Sequence, residues 1–180
     1  MNDGEIVIPG VYVSPQHLGA LRKVYERLRG TEINWLVCAG MSLALHGMPV
    51  VVHDIDLQTD APGAYAIERL FTEYATKPVA FSSTDRIRSH FGALTIDGIK
   101  VEIIGDIEKR AEDGSWEAAP NLGQHKLFVR VGDMQIPVIS LEYECEAYRK
   151  MGRFEKAALV RGWLDNKLKC GNQASDTGIT

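Results

Sequence analysis

Residues 50–58 read VVVHDIDLQ, a β-branched apolar run interrupted by Asp54 and Asp56. The run has the composition of a sheet-interior strand. Side chains two apart on a strand share a face, with Cα atoms roughly 6.6–6.8 Å apart, so both acids lie together while Ile55 and Leu57 enter the opposite layer. Two like charges in an apolar strand cost stability unless a cation neutralises them, and carboxylate oxygens suit a hard divalent ion. The plainer alternative is a solvated strand end.

The sequence around this run alternates in period. Leu18, Leu21, Val24, Tyr25 and Leu28 recur at helical spacing after a Ser14-Pro15 cap and stop at Gly30. Residues 33–38 form a strand-length apolar run, Ala39-Gly40-Met41-Ser42 a turn, and Leu43 to His46 a short helix closed by Gly47. A third helix carries Ile67, Leu70, Phe71 and Tyr74 and ends before Lys77-Pro78. Two hairpins follow, 89–96 with 99–104 around Asp97-Gly98 and 127–131 with 134–139 around Gly132-Asp133. A polar loop, 109–125, joins them. Residues 5–13 predict a short extended segment before the first helix, broken at Pro9-Gly10.

From Ser140 the pattern turns helical, with Glu142, Glu144 and Glu146 near an N-terminal end that favours anions, and Gly152 dividing two helices. These patterns predict an α/β (α+β) fold: a mixed, largely antiparallel sheet with helices on one face. They divide the chain into a core at 1–139, a C-terminal helical segment at 140–169 that walls a cleft, and a disordered tail at 170–180.

Composition excludes several function classes. The 180 residues carry a net charge of −4 with no basic run, so non-specific nucleic-acid binding has no footprint. No stretch is apolar enough for a membrane span or a signal peptide, which predicts a cytoplasmic protein. Cys38, Cys145 and Cys170 lack ligand spacing and are expected as reduced thiols.

Two further features bear on chemistry. Gly40 permits close backbone approach and Ser42 lies at a helix start, together a candidate phosphate cradle, with an ordinary capped turn as the alternative. Glu102 is a lone acid in the strand run IKVEIIGD, and if that strand neighbours 50–58 three carboxylates converge. Asp106 competes for the role but follows Gly105 and reads as a loop residue. His46 and His53 are expected to pack or face solvent, His53 by alternation away from Asp54.

The strand, AGMS, ALHG, HDIDL and the later strand acid together resemble the nucleotidyltransferase superfamily of the DNA polymerase beta type. They are most similar to its small bacterial branch of antibiotic nucleotidyltransferases and abortive-infection-type toxin enzymes. The resemblance covers roughly 33–104 and, more loosely, SLEYECEAYRKMGR. It implies transfer of a nucleoside monophosphate from an NTP to an acceptor hydroxyl on a small molecule, a protein or a tRNA. Asp54, Asp56 and Glu102 would hold Mg²⁺, with Mn²⁺ as a substitute, and Gly40, Ser42, Lys150 and Arg153 would bind the nucleotide.

The sequence also departs from the branch, with Ala39-Gly40 for its usual GG, Val50 and Val52 where a basic residue and a Ser or Thr are common, and Glu102 for Asp. In the C-terminal segment Tyr148 stands in place of a Lys, and Lys156-Ala157 keeps half of a Lys-Asp pair. Arg149, Lys150 and Arg153 could supply charge instead. The departures leave two rivals: a degenerate non-catalytic nucleotide binder, and a protein-interaction module of a toxin–antitoxin type.

Overall fold

Ser14 and Pro15 open the first helix in a computed structural model that describes residues 13–174. The Ser14 hydroxyl accepts the His17 N–H and Pro15 fills the first turn, over α1 (Pro15–Leu28). Then follow β1 (Leu36–Cys38), α2 (Ala39–Leu45), β2 (Ile55–Thr59), α3 (Ala61–Leu70), a 3-10 turn (Thr72–Tyr74), β3 (Ala75–Ser83), β4 (Ile87–Ile96) and β5 (Ile99–Lys109). The chain continues through α4 (Leu122–His125), β6 (Lys126–Val131), β7 (Met134–Ile139), α5 (Leu141–Lys150) and α6 (Phe154–Ala174). The predicted extended segment at 5–13 lies almost wholly outside the described residues.

The seven strands form one sheet in the order β3-β4-β5-β2-β1-β7-β6. Four pairings are antiparallel, while β1–β7 and β2–β5 are parallel. The sheet is therefore mixed and largely antiparallel, as the alternating runs predict. One face carries Val37, Ile55, Leu57, Val101 and Ile103 against Leu21, Val24, Ala64 and Ile67 of α1 and α3, all buried. Gly105 lets α3 approach β5: a Cβ there would lie 2.8 Å from the Asp60 carbonyl oxygen and from the Ala64 Cβ.

The opposite face belongs to the cleft, and α5 and α6 wall it. Their buried residues Cys145, Tyr148, Ala157 and Val160 pack with Leu43 and Met48, in and just after α2. The Ser140 hydroxyl caps α5 by accepting the Tyr143 N–H, and Gly152, at φ +73°, makes the break before α6.

Several elements differ from the sequence reading: α2 begins at Ala39, so the expected turn 39–42 is its first turn, β5 runs on to Lys109, and α4 lies within the expected loop 109–125. The strand β3 is an edge strand whose Val79 alone is buried, and Pro78 within it removes a ladder donor, so its sequence carries no strand signature. The segment 50–54 is irregular, and β2 begins only at Ile55. Residues 170–174, read as part of a disordered tail, continue α6 as added helical turns; 175–180 lie outside the described residues.

Candidate active site

The ladder places Asp56 beside Glu102 in register across β2 and β5, and beside Cys38 across β1. In-register neighbours share a face, so both carboxyls enter the cleft, and Asp54, in the irregular stretch just before β2, also lines it. A carboxylate oxygen from each of Asp54, Asp56 and Glu102 lies within 4.8 Å of the other two. The convergence expected from spacing is present.

Burial and crowding govern the electrostatics. Asp56 is 8% exposed. Desolvation first, then the Asp54 charge and a hydrogen bond with Glu102, push its carboxyl up to about 8. Lys100 sits at the rim, its Nζ 2.6 Å from a Glu102 oxygen and 3.3 Å from an Asp54 oxygen. An ammonium already rests on two of the three acids, so the set attracts cations, and its hard oxygens match a divalent ion such as Mg²⁺ or Mn²⁺.

The cleft has a volume of about 480 Å³ and is bounded on the sheet side by Cys38, Asp56, Phe91 and Ile104. Gly40 lies on its wall, and a Cβ built there meets no atom within 4 Å. Neighbouring packing does not dictate this glycine. Ser42 is placed elsewhere: it is fully buried, its hydroxyl 3.5 Å from the Ile139 carbonyl, and it is not among the cleft-lining residues. One helical residue separates it from Gly40, which turns its side chain into the core beneath α2.

The basic residues of the C-terminal segment divide. Arg153 lines the cleft, whereas Lys150 is bound to Glu117 at 2.8 Å and Arg149 to Glu146 at 2.8 Å, neither on the cleft wall. Asp106 takes φ +46° at an irregularity in β5 and lines a separate cavity of about 100 Å³ with Asn34 and Thr59, apart from the carboxylate trio. His46 holds the Ile139 carbonyl at 2.8 Å, a packing role. His53 does face the cleft, because it precedes the regular strand and strand alternation does not govern it.

Sequence reasoning missed a buried polar group on the α5 wall. Glu144 is 5% exposed and accepts the Ala39 N–H at 2.5 Å. Its pKa is raised, burial outweighing the Ala39 N–H and Tyr148 hydroxyl bonds that lower it. Lys109, 6% exposed, donates to the Tyr143 hydroxyl at 3.0 Å. Lys156 also lines the cleft, its Nζ 5.6 Å from the centre of the Tyr148 ring. Glu144 had a readable signal, since it shares a helical stripe with Leu141, Cys145 and Tyr148. Lys109 had none, for a reason taken up below.

A mixed sheet with a strand acid pair, a third acid on the adjoining parallel strand and a glycine turn leading into a short helix defines a nucleotidyltransferase. The profile of the aminoglycoside-2''-adenylyltransferase family matches residues 20–159, and the chain belongs to that family. A crystal structure from Thermotoga maritima, provisionally described as a nucleotidyltransferase, is 56% identical over 86% of this chain and 96% of its own, with a TM-score of 0.76. The lincomycin-bound lincosamide antibiotic adenylyltransferase LnuA aligns at 18% identity over 73% of this chain and 84% of its own, with a TM-score of 0.47. No curated protein sequence matches.

Proposed function

We propose that the protein transfers a nucleoside monophosphate from an NTP to the hydroxyl of a small acceptor molecule. The observation that carries this reading is the convergence of Asp54, Asp56 and Glu102 in one cleft that also exposes the backbone of Gly40. Membership in an adenylyltransferase family supports it. The cleft volume falls within the range of small-molecule sites, which favours such an acceptor over a tRNA end or a protein side chain. Among the described residues no helix is long and apolar enough to cross a membrane.

Asp54, Asp56 and Glu102 would hold a divalent cation, Mg²⁺ or Mn²⁺, which when bound supplies charge neutralisation at the triphosphate and a more acidic acceptor hydroxyl. The chain's own residues do the rest. A Glu102 carboxylate oxygen accepts the proton of the acceptor hydroxyl, because it stands in the strand beside Asp56 and is half-exposed to the cleft. Gly40 lets phosphate oxygens come close to the backbone. Arg153 offers a cation from the C-terminal wall. In the cation-free protein the raised Asp56 carboxyl holds a proton that limits repulsion within the trio.

The test is the double variant Asp54→Asn, Asp56→Asn, examined by calorimetry with NTP and Mg²⁺ and by thermal melting. Mg²⁺-dependent NTP binding is expected to vanish while the fold holds or gains stability, since the Asp54 charge and the buried, desolvated Asp56 carboxyl are replaced by neutral amides. Unchanged affinity would overturn the site. Pyrophosphate release by the wild type separates an enzyme from a nucleotide-binding relic.

A further inference from the structure

Among the described residues the cations on the cleft wall differ from their neighbours in forming no contact ion pair. Arg149 and Lys150 are bound to Glu146 and Glu117. Lys109, Arg153 and Lys156, which line the cleft, form no ion pair within 4.0 Å among the described residues. Lys109 is the extreme case. It is almost wholly buried, and its ammonium makes one side-chain hydrogen bond, to the neutral Tyr143 hydroxyl, out of three donors. Burying an ammonium without a contact ion pair is unfavourable, and burial lowers its pKa, the more distant Glu144 charge offsetting only part of that. A neutral side chain of the same length would fill the wall at no such cost.

The backbone goes out of its way to put Lys109 there. Glu102 and Ile104 face the cleft, so regular alternation along β5 would next present Asp106 and then Glu108. Instead Arg88 pairs with Glu108 while His90 pairs with Gly105, so β5 holds one extra residue, and Asp106 takes the left-handed φ of +46°. This bulge reverses the alternation. Ile107 and Lys109 then line the cleft, and Glu108 turns away into an ion pair with Arg88. A glutamate has been exchanged for a lysine at the cleft wall by one inserted residue.

We propose that Lys109, aided by Arg153 and Lys156, is the seat of the nucleotide's polyphosphate tail, the anion supplying the contact ion pair that these cations lack within the protein. The inference rests on the nucleotidyl-transfer reading for the identity of the anion. Position favours the tail over an anionic acceptor: Lys109 bonds Tyr143, and the next residue on α5, Glu144, holds the Ala39 N–H beside Gly40.

The experiment compares full-length wild type, Lys109→Met and Lys109→Arg. Lys109→Met is expected to melt at or above the wild-type temperature, since an unpaired buried charge is gone. In metal-free buffer, sodium tripolyphosphate titrated by calorimetry should bind Lys109→Met at least about tenfold more weakly, the scale of losing a charge-assisted contact, with partial recovery in Lys109→Arg. The loss should be larger for an NTP than for the matching NMP. Should Lys109→Met fail to fold, the paired change Arg153→Gln, Lys156→Gln at the cleft wall is expected to weaken tripolyphosphate binding several-fold. Unchanged tripolyphosphate affinity in a folded variant, no binding by the wild type, or an equal loss for NTP and NMP would each overturn the proposal, the last pointing to an anionic acceptor. If tripolyphosphate binding follows Lys109 while the wild type releases no pyrophosphate from any NTP, the nucleotidyl-transfer reading falls and the anion seat stands. Transfer that continues with Lys109-independent binding removes only the seat.

Discussion

The two charged walls of the cleft are built by opposite means. The acidic wall is largely a product of regularity, with Asp56 and Glu102 brought together by a parallel ladder and Asp54 joining them from the residue just before β2. The basic wall is a product of irregularity, with Lys109 behind a bulge, Arg153 just past the Gly152 break and Lys156 on the turn that follows. Ladders fix short side chains to within the tolerance that a shared ion requires. A long flexible ammonium or guanidinium needs only to be aimed, and a local defect suffices for that.

If the acidic wall carries the chemistry, its loss should have the largest effect. Glu102→Gln is expected to lower turnover by about a hundredfold or more, the scale of removing a general base, with NTP affinity largely kept. Asp106→Asn, in its separate cavity, should leave turnover near wild type. Steady-state kinetics on the two variants decides, and the reverse ranking would place the third carboxylate wrongly.

The acidic wall should also show itself in pH dependence without any ligand. The folded-state pKa of Asp56, about 8, stands above the unfolded value of 3.8, so the folded protein binds this proton more tightly. Its contribution to stability is fully present below pH about 4 and is lost as pH rises toward 8, with a slope of up to about 1.4 kcal/mol per pH unit. Melting of the metal-free wild type relative to Asp56→Asn, followed from pH 4 to 9, should reveal the difference, the variant gaining on the wild type as pH rises. Parallel curves would mean that Asp56 is ionised throughout.

The glycine turn joins the walls, and it tests function against packing. Gly40→Ala is expected to leave the melting temperature unchanged or raise it, because the added methyl meets nothing within 4 Å and alanine favours the helix in which Gly40 lies. If phosphate approaches the backbone at Gly40 as proposed, the same methyl should raise the KM for NTP by about tenfold. A loss of stability with unaltered KM would assign the residue to the fold. The smallest effect belongs to the cations that face away: Arg149→Gln with Lys150→Gln should alter stability by no more than about 0.5 kcal/mol and NTP affinity not at all.

The same contrast explains what could be read in the sequence. Regular placement is legible: HDIDL and IKVEI announce strands, their alternation puts three acids on one face, and the hairpin turns order the sheet. Irregular placement is not. One residue too many at Asp106 reverses every side chain after it, so Lys109 reads as facing the wrong way and Glu108 the right one. Ser42 fails for a related reason, because a hydroxyl at a helix start looks available until the orientation of that short helix is known. Lys150 and Arg153 are indistinguishable in composition, and only the position of Glu117, in the preceding loop, shows that Lys150 is already occupied. The edge strand β3 escaped because it meets solvent along nearly its whole length and so carries no apolar alternation.

The bond between the Glu144 carboxylate and the Ala39 amide has a mechanical consequence. Ala39 adopts φ +55°, a left-handed conformation that costs an alanine about 1–2 kcal/mol, and a buried carboxylate from α5 clamps it there. The glycine turn and the C-terminal helices consequently move as one jaw. Swinging α5 outward would strip a desolvated carboxylate of its donor and free the Ala39 peptide from the bond that holds it. Opening at α5 would therefore cost this buried bond together with the packing of Cys145 and Tyr148 against Leu43 and Met48.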